Sequence, residues 1–286
     1  MSQMSTAEQP NRPPYLFGLL LLLLGNFLVY LAWCFLTNQF YQASLNLPWF
    51  LKSLQAATVM SQRASYGIVA ALIPQRRFVG LAWALGLGLT NGLVHGEFLN
   101  LINVARSGNT ISHEWWRVQA AAIADQTLAM FVLAQGFRFA FGWRLVTTDK
   151  QPRLNQFQLA DVLEWTTSIA AWLAVNRLIA LDLANSRDYA VRVLAMALIL
   201  FPIALVTTSE RGLSAATALV LCVWVSAVEV FFYVMARFVD PSAFRYSWSL
   251  YFSICFGDAA GSLLFTALNF WIIRRLGFRW ERRKSS

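Results

Sequence analysis

The chain alternates between long apolar segments and short polar connections. The apolar runs have helical length and are not the alternating ten-residue strands of an outer-membrane barrel. An apolar helix of about 20 residues is long enough to cross the hydrocarbon core of a bilayer. The pattern therefore predicts eight transmembrane helices, at residues 15–37, 54–73, 78–95, 116–142, 162–181, 189–208, 213–238 and 248–273.

The polar stretches divide the chain into four parts. Residues 1–14 are polar and contain three prolines, which predicts a disordered N-terminal segment. Residues 15–273 form the predicted transmembrane bundle. A polar connection at about 143–160 separates two halves of four helices each, between which no sequence repeat is evident. Residues 274–286 form a basic tail, for which we predict a cytoplasmic position.

Composition supports a membrane protein. Of 286 residues, 58% are hydrophobic and 13% are charged, and the mean hydropathy is +0.51. A soluble domain carries about 25% charged residues. Long helical segments also disfavour a barrel of short alternating strands. The predicted fold class is therefore all-α, a polytopic transmembrane helical bundle of about eight spans with no sizeable soluble domain.

Lysine and arginine in the connections predict the orientation. The net charge is +9, but the basic residues lie mostly at the ends of spans, so nucleic acid is not an expected partner. Of the basic residues near span ends, about 13 fall on one side of the predicted membrane and about six on the other. The richer side has Arg12, Arg76, Arg77, Arg144, Lys150, Arg153, Arg211 and the six basic residues of the tail. Both termini are therefore predicted to be cytoplasmic, which requires an even number of spans.

The basic tail also predicts a lipid partner. Its six cations surround two aromatic side chains, Phe278 and Trp280. Aromatic rings and cations together suit the headgroup layer of an anionic leaflet. The tail is therefore expected to anchor the chain to anionic lipids. Its basic residues are Arg274, Arg275, Arg279, Arg282, Arg283 and Lys284.

Known catalytic and metal-binding patterns are missing from the sequence. The three cysteines, Cys34, Cys222 and Cys255, lie inside apolar segments and form no CxxC pair. The two histidines, His95 and His113, are too far apart for a zinc motif. The chain has no GxSxG, P-loop, GxGxxG or HExxH sequence. We therefore assign no catalytic residue, metal or cofactor from sequence.

One segment carries a family resemblance. Residues 157–167 read FQLADVLEWTT. They resemble an F-x-L-x-D-x-L-x-W-T segment that precedes a span in uncharacterised bacterial multi-pass membrane proteins. In that pattern a serine and the following acid cap the helix; Gln158 stands here in place of the serine. The resemblance implies a helix start and a bacterial inner membrane location, and it implies no activity.

Small residues recur at helical spacing in two predicted spans. Such rows allow two helix backbones to approach closely. The third span has Gly80, Ala84, Gly88, Gly92 and Gly96, and the eighth has Ser253, Gly257 and Gly261. Asn91 and His95, four residues apart, lie beside the first row and are expected to form hydrogen bonds across it; a ligand role is the alternative.

Four charged residues fall near the middle of predicted spans: Arg63, Asp125, Glu229 and Asp258. A charge at the centre of a span costs about 2.5 to 3.5 kcal/mol on the insertion scale, so each needs a partner or water. We expect Arg63 to lie within ion-pair reach of one of the three acids. The set predicts either a substrate or proton pathway, or buried contacts that fix the helix register.

Three functions are consistent with these features. A transporter or permease-like bundle accounts for the internal charges. A non-catalytic membrane scaffold or accessory subunit accounts for the glycine rows. A membrane-embedded enzyme would need His95, an acid and a nucleophile to meet at one depth. A pathway open to water at the acids would favour transport, and a dry core would favour the scaffold.

Overall fold

The computed structural model describes residues 15–42, 49–72, 78–108, 113–147, 159–178, 183–209, 214–239 and 248–282. The predicted disordered segment 1–14 and most of the predicted polar connection lie outside these residues. The described chain forms eight helices and two short strands. They are α1 Tyr15–Gln42, α2 Trp49–Leu72, α3 Val79–Ser107, α4 His113–Phe141, β1 Trp143–Thr147, α5 Leu159–Leu178, α6 Leu183–Thr208, α7 Ala215–Val239, α8 Trp248–Arg275 and β2 Phe278–Arg282.

The fold is a helical bundle, and each predicted span corresponds to one helix. Three helices contain stretches that are long and apolar enough to cross a membrane, at Ala120–Phe141, Ala215–Phe232 and Ser253–Arg275. Shorter apolar stretches lie at Leu22–Trp33 and Leu194–Thr208. The largest difference in bounds is in α3, which continues beyond its apolar part to Ser107. It ends at Gly108, whose left-handed backbone (φ 71°) lets its N–H bond to the carbonyl of Val104.

Helix α2 lies at the centre of the bundle. It packs along α4 and α8 and also contacts α3 and α6. Every residue from Ala64 to Leu72 is buried. Helix α2 has no stretch that is long and apolar enough to cross a membrane. Its surface meets other helices and so accommodates small and polar side chains.

A two-stranded sheet joins the end of α4 to the end of α8. β1 pairs antiparallel with β2, with Leu145 opposite Trp280 and Arg144 opposite Glu281. Leu145 is fully buried, and Phe278 on β2 is buried as well. Gly277, at φ 89°, turns the chain from α8 into β2. These strands were not predicted from the sequence, because the alternating aromatic and basic residues of the tail were assigned to the membrane surface.

The C-terminal ends of the even-numbered helices lie together at this end of the bundle. Near the ends of α2 and α4, Arg138 Nη1 donates to the carbonyl oxygen of Ala71 at 3.2 Å. At the end of α6, the indole Nε1 of Trp280 donates to the carbonyl oxygen of Ala204 at 3.2 Å. These contacts give α2, α4, α6 and α8 the same direction.

Helix α6 contains an internal proline. Pro202 has no N–H, so it cannot donate to the carbonyl of Leu198, one turn earlier. The indole Nε1 of Trp224 on α7 donates to that oxygen instead, at 2.8 Å. The interrupted turn of α6 is therefore completed by a side chain of the next helix.

Candidate functional site

The glycine row of α3 lies directly against α4. A Cβ atom placed on Gly88 would lie 2.9 Å from Cα of Ala124, and one on Gly92 would lie 2.7 Å from Cα of Ala120. Real Cβ atoms do not approach other atoms this closely, so only glycine fits. A Cβ on Gly80 would lie 2.7 Å from the carbonyl oxygen of Ala70 on α2. Gly96, the last of the row, is buried.

The second row lies on α8 and faces α2. A Cβ on Gly257 would lie 2.9 Å from Cβ of Ser53, and one on Gly261 would lie 2.7 Å from Cβ of Ala57. On the other side of α2, a Cβ on Gly67 would meet the backbone of Thr127 and would lie 2.8 Å from the amide nitrogen of Phe131 on α4. Gly67 was missed in the sequence because it is an isolated glycine without a periodic row.

Arg63 points from the central helix toward α4. Its Nη1 donates to the side-chain oxygen of Gln126 at 2.6 Å. Its Nε is buried and has no hydrogen-bond partner among the described residues. Asp125, next to Gln126, is fully buried. The hydrogen bond recorded for Arg63 thus goes to a neutral amide, and an ion pair with one of the acids stays a prediction.

The polar pair Asn91 and His95 lies one helical turn apart on α3. The guanidinium of Arg63 is within electrostatic range of the His95 imidazole. The ring of His95 packs against Tyr30 of α1, with 4.8 Å between ring centroids. The Nδ2 of Asn91 is buried without a hydrogen-bond partner in the described part of the chain. Side chains of four helices, α1 to α4, therefore surround one cation.

The other two internal acids lie on neighbouring helices. Glu229 of α7 and Asp258 of α8 are both half-buried, and their carboxyl groups are within electrostatic range of each other. Each of the three stretches able to cross a membrane carries one of the predicted acids: Asp125 in α4, Glu229 in α7 and Asp258 in α8. Glu229 and Asp258 thus lie on packed helices, within electrostatic range of each other.

A further polar cluster connects α1 to α2. Asn26 donates from its Nδ2 to the hydroxyl oxygen of Tyr66 at 2.9 Å, and Gln62 donates from its Nε2 to the backbone oxygen of Asn26 at 3.1 Å. All three side chains are buried. A lone asparagine in the apolar run of the first span was the signal for this cluster, because a buried amide needs partners.

The segment that resembles the bacterial pattern contacts α4. The indole Nε1 of Trp165 donates to the carbonyl oxygen of Val132 at 3.2 Å, and its ring lies against Gly136. The side chain of Gln135 donates to Glu164 at 3.4 Å. The Glu-Trp part of this segment therefore positions α5 on α4.

Within the described ranges, no three His, Cys, Asp or Glu side chains come together in a way that could hold a metal ion. No protein-family model, curated protein or solved structure matches this chain. The function of the protein is therefore inferred from the internal charges and the residues around them.

Proposed function

We propose that the protein is a multi-pass permease of the bacterial inner membrane, in which Glu229 and Asp258 take up and release a coupling proton or cation. The observation that carries this proposal is that these two half-buried acids lie on packed helices, within electrostatic range of each other. Both belong to stretches that are long and apolar enough to cross a membrane.

Repulsion between the two carboxylates explains why such a pair can couple transport to the uptake of a proton or cation. Two like charges close together in a medium of low dielectric constant repel each other strongly. A proton or a cation held between the carboxyl groups removes that repulsion. Acids inside spans mark ion and proton pathways in many membrane proteins. A scaffold has no need for two carboxyl groups within electrostatic range of each other in its apolar region.

A membrane scaffold or accessory subunit is the second candidate function. It is favoured by the close glycine contacts of α2, α3, α4 and α8, which make the centre of the bundle rigid. The two candidates differ in one measurable property, because only the permease needs Glu229 and Asp258 to exchange ions with water.

A proton-uptake experiment tests the permease. In proteoliposomes with an internal pH-sensitive dye, a mixture of amino acids, sugars and organic anions supplied outside is expected to drive proton entry. Glu229→Gln and Asp258→Asn should each reduce that entry at least about tenfold, because one carboxyl group alone no longer holds the coupling ion. Glu97→Gln, which removes an exposed acid from α3, is the matched control and should behave like the natural protein. Equal rates in all four proteins would contradict the proposal.

The arrangement of helix ends supports eight spans with both termini in the cytoplasm. A chain that crosses the membrane at every helix brings the ends of α2, α4, α6 and α8 to one side, and these ends do lie together. The segments that follow them carry the larger share of Lys and Arg, which favours the cytoplasmic side. In this arrangement the tail lies at the anionic inner leaflet.

Reporter fusions test this topology. A reporter that is active only outside the cytoplasm should be active when it is joined after Gly108, at the end of α3, and inactive when it is joined after Ser286. A reporter that is active only in the cytoplasm should give the opposite result. If both fusion sites report the same side, the number of spans between them is even and the arrangement is wrong.

A further inference from the structure

We infer that Arg63, Asn91 and His95 form a binding site for a small anion that carries carboxylate or phosphate oxygens. The site lies where α2 and α3 meet α4, with Tyr30 of α1 against His95. The inference names the substrate class of the proposed permease and therefore rests on that function.

Buried polar groups without a hydrogen-bond partner indicate the chemical class of the ligand. Buried polar groups in folded proteins almost always have a partner, and an exception calls for an explanation such as a missing ligand. Two such groups occur here, the Nε of Arg63 and the Nδ2 of Asn91. Both are hydrogen-bond donors. The missing partner must therefore be an acceptor.

The shape of the guanidinium further limits the class of acceptor that fits the site. Its Nη1 is occupied by Gln126. The remaining edge, formed by Nε and Nη2, presents two parallel N–H groups, which is the arrangement that binds the two oxygens of a carboxylate or phosphate. Gln126 accepts its hydrogen bond from Nη1 and not from this edge.

The local charge is also suited to an anion. The recorded partner of Arg63 is neutral, so its positive charge is not compensated by that contact. His95 is a second potential donor within electrostatic range of the same guanidinium. Asp125 precedes Gln126 on α4, and consecutive helical residues project about 100° apart, so the two side chains point in different directions. Arg63, Asn91 and His95 are each half-buried, but Nε of Arg63 and Nδ2 of Asn91 are themselves covered, so binding requires the surrounding side chains to move aside.

Thermal unfolding of the purified protein in neutral detergent tests the site without any transport. Inorganic phosphate and succinate should raise the melting temperature in a saturable way, relative to potassium chloride of the same ionic strength. Arg63→Gln should weaken this binding at least about tenfold, the loss expected for a charge-assisted bidentate contact. Lys52→Gln removes an exposed cation from the same helix and is the matched control. Equal binding by both variants, or no binding by the natural protein, would overturn the site.

A second variant keeps the test decisive if Arg63→Gln does not fold. Asn91→Asp has nearly the same shape as the natural side chain but carries its own carboxylate. It should pair with Arg63, raise the melting temperature without added anion and abolish the response to phosphate and succinate. A lower melting temperature with an unchanged anion response would count against the site.

Phosphatidylglycerol in lipid nanodiscs distinguishes the source of the oxyanion. Saturable stabilisation by the soluble anions supports a transported substrate. Stabilisation by the lipid alone, lost in Arg63→Gln, would overturn the substrate assignment in favour of a headgroup. Anion binding that survives when proton uptake is absent would contradict the permease and leave the site intact, so the two failures can be told apart.

Discussion

Leucine at Gly88 or Gly92 is expected to prevent the bundle from forming. At both positions the nearest atoms of α4 belong to its backbone, at Ala124 and Ala120. A backbone cannot move aside as a flexible side chain can, so α3 and α4 must separate along their contact. Overpacking a core usually costs about 1–3 kcal/mol, and a branched side chain forced against a helix backbone should exceed that range.

The yield of monodisperse protein after detergent extraction measures this effect, together with its melting temperature. Gly86→Leu is the matched control. It lies on the same helix, and a Cβ there meets no atom within 4 Å. We expect the control to be extracted as well as the natural protein and the other two variants to aggregate. Equal recovery of all three variants would show that α3 does not depend on its glycine row.

A single methyl group at Gly67 is expected to destabilise the protein by about 1–3 kcal/mol. The crossing of α2 and α4 leaves no space there, since a Cβ would meet the backbone of both Thr127 and Phe131. Gly67→Ala tests the crossing with the smallest possible change. In a free helix alanine is more favourable than glycine, so any loss of stability must come from packing.

Denaturant titration of the detergent-solubilised protein measures this change in the free energy of unfolding. Gly25→Ala on α1 supplies the comparison, because a Cβ at Gly25 meets nothing within 4 Å. We expect Gly25→Ala to be neutral or slightly stabilising. If Gly67→Ala is equally well tolerated, the backbones of α2 and α4 are not in close contact.

The number and order of the helices follow from hydropathy because a helix in an apolar environment satisfies its own backbone hydrogen bonds. Their ends are less predictable where a helix leaves the apolar region. The polar residues after His95 gave no stop signal before Gly108, so α3 is longer than its apolar segment. The position of a helix in the bundle is not encoded in its hydropathy at all. Helix α2 is central in the bundle although it has no stretch apolar enough to cross a membrane. From the sequence alone, such a segment could equally well lie outside the membrane.

The candidate site, like the helices, could be predicted only in part from the sequence. The glycine rows and the mid-span charges can be read from spacing and from the cost of a buried charge. The partners of these residues depend on how each helix is rotated in the bundle. Nothing in the local sequence indicates that Arg63 bonds Gln126, or that Glu229 approaches Asp258. The strand pair is missed for a similar reason, because its two strands are distant in the chain.

That distance matters during synthesis. About 130 residues separate β1 from β2, and at a translation rate of about 5–20 residues per second they emerge many seconds apart. Until α8 has been made and inserted, β1 is an unpaired edge strand, and an unpaired edge can associate with other chains. The pairing of β1 with β2 is therefore a late step in the folding of the chain. A chain that stops before Phe278 would contain every helix but would lack the strand that pairs with β1 in the folded protein.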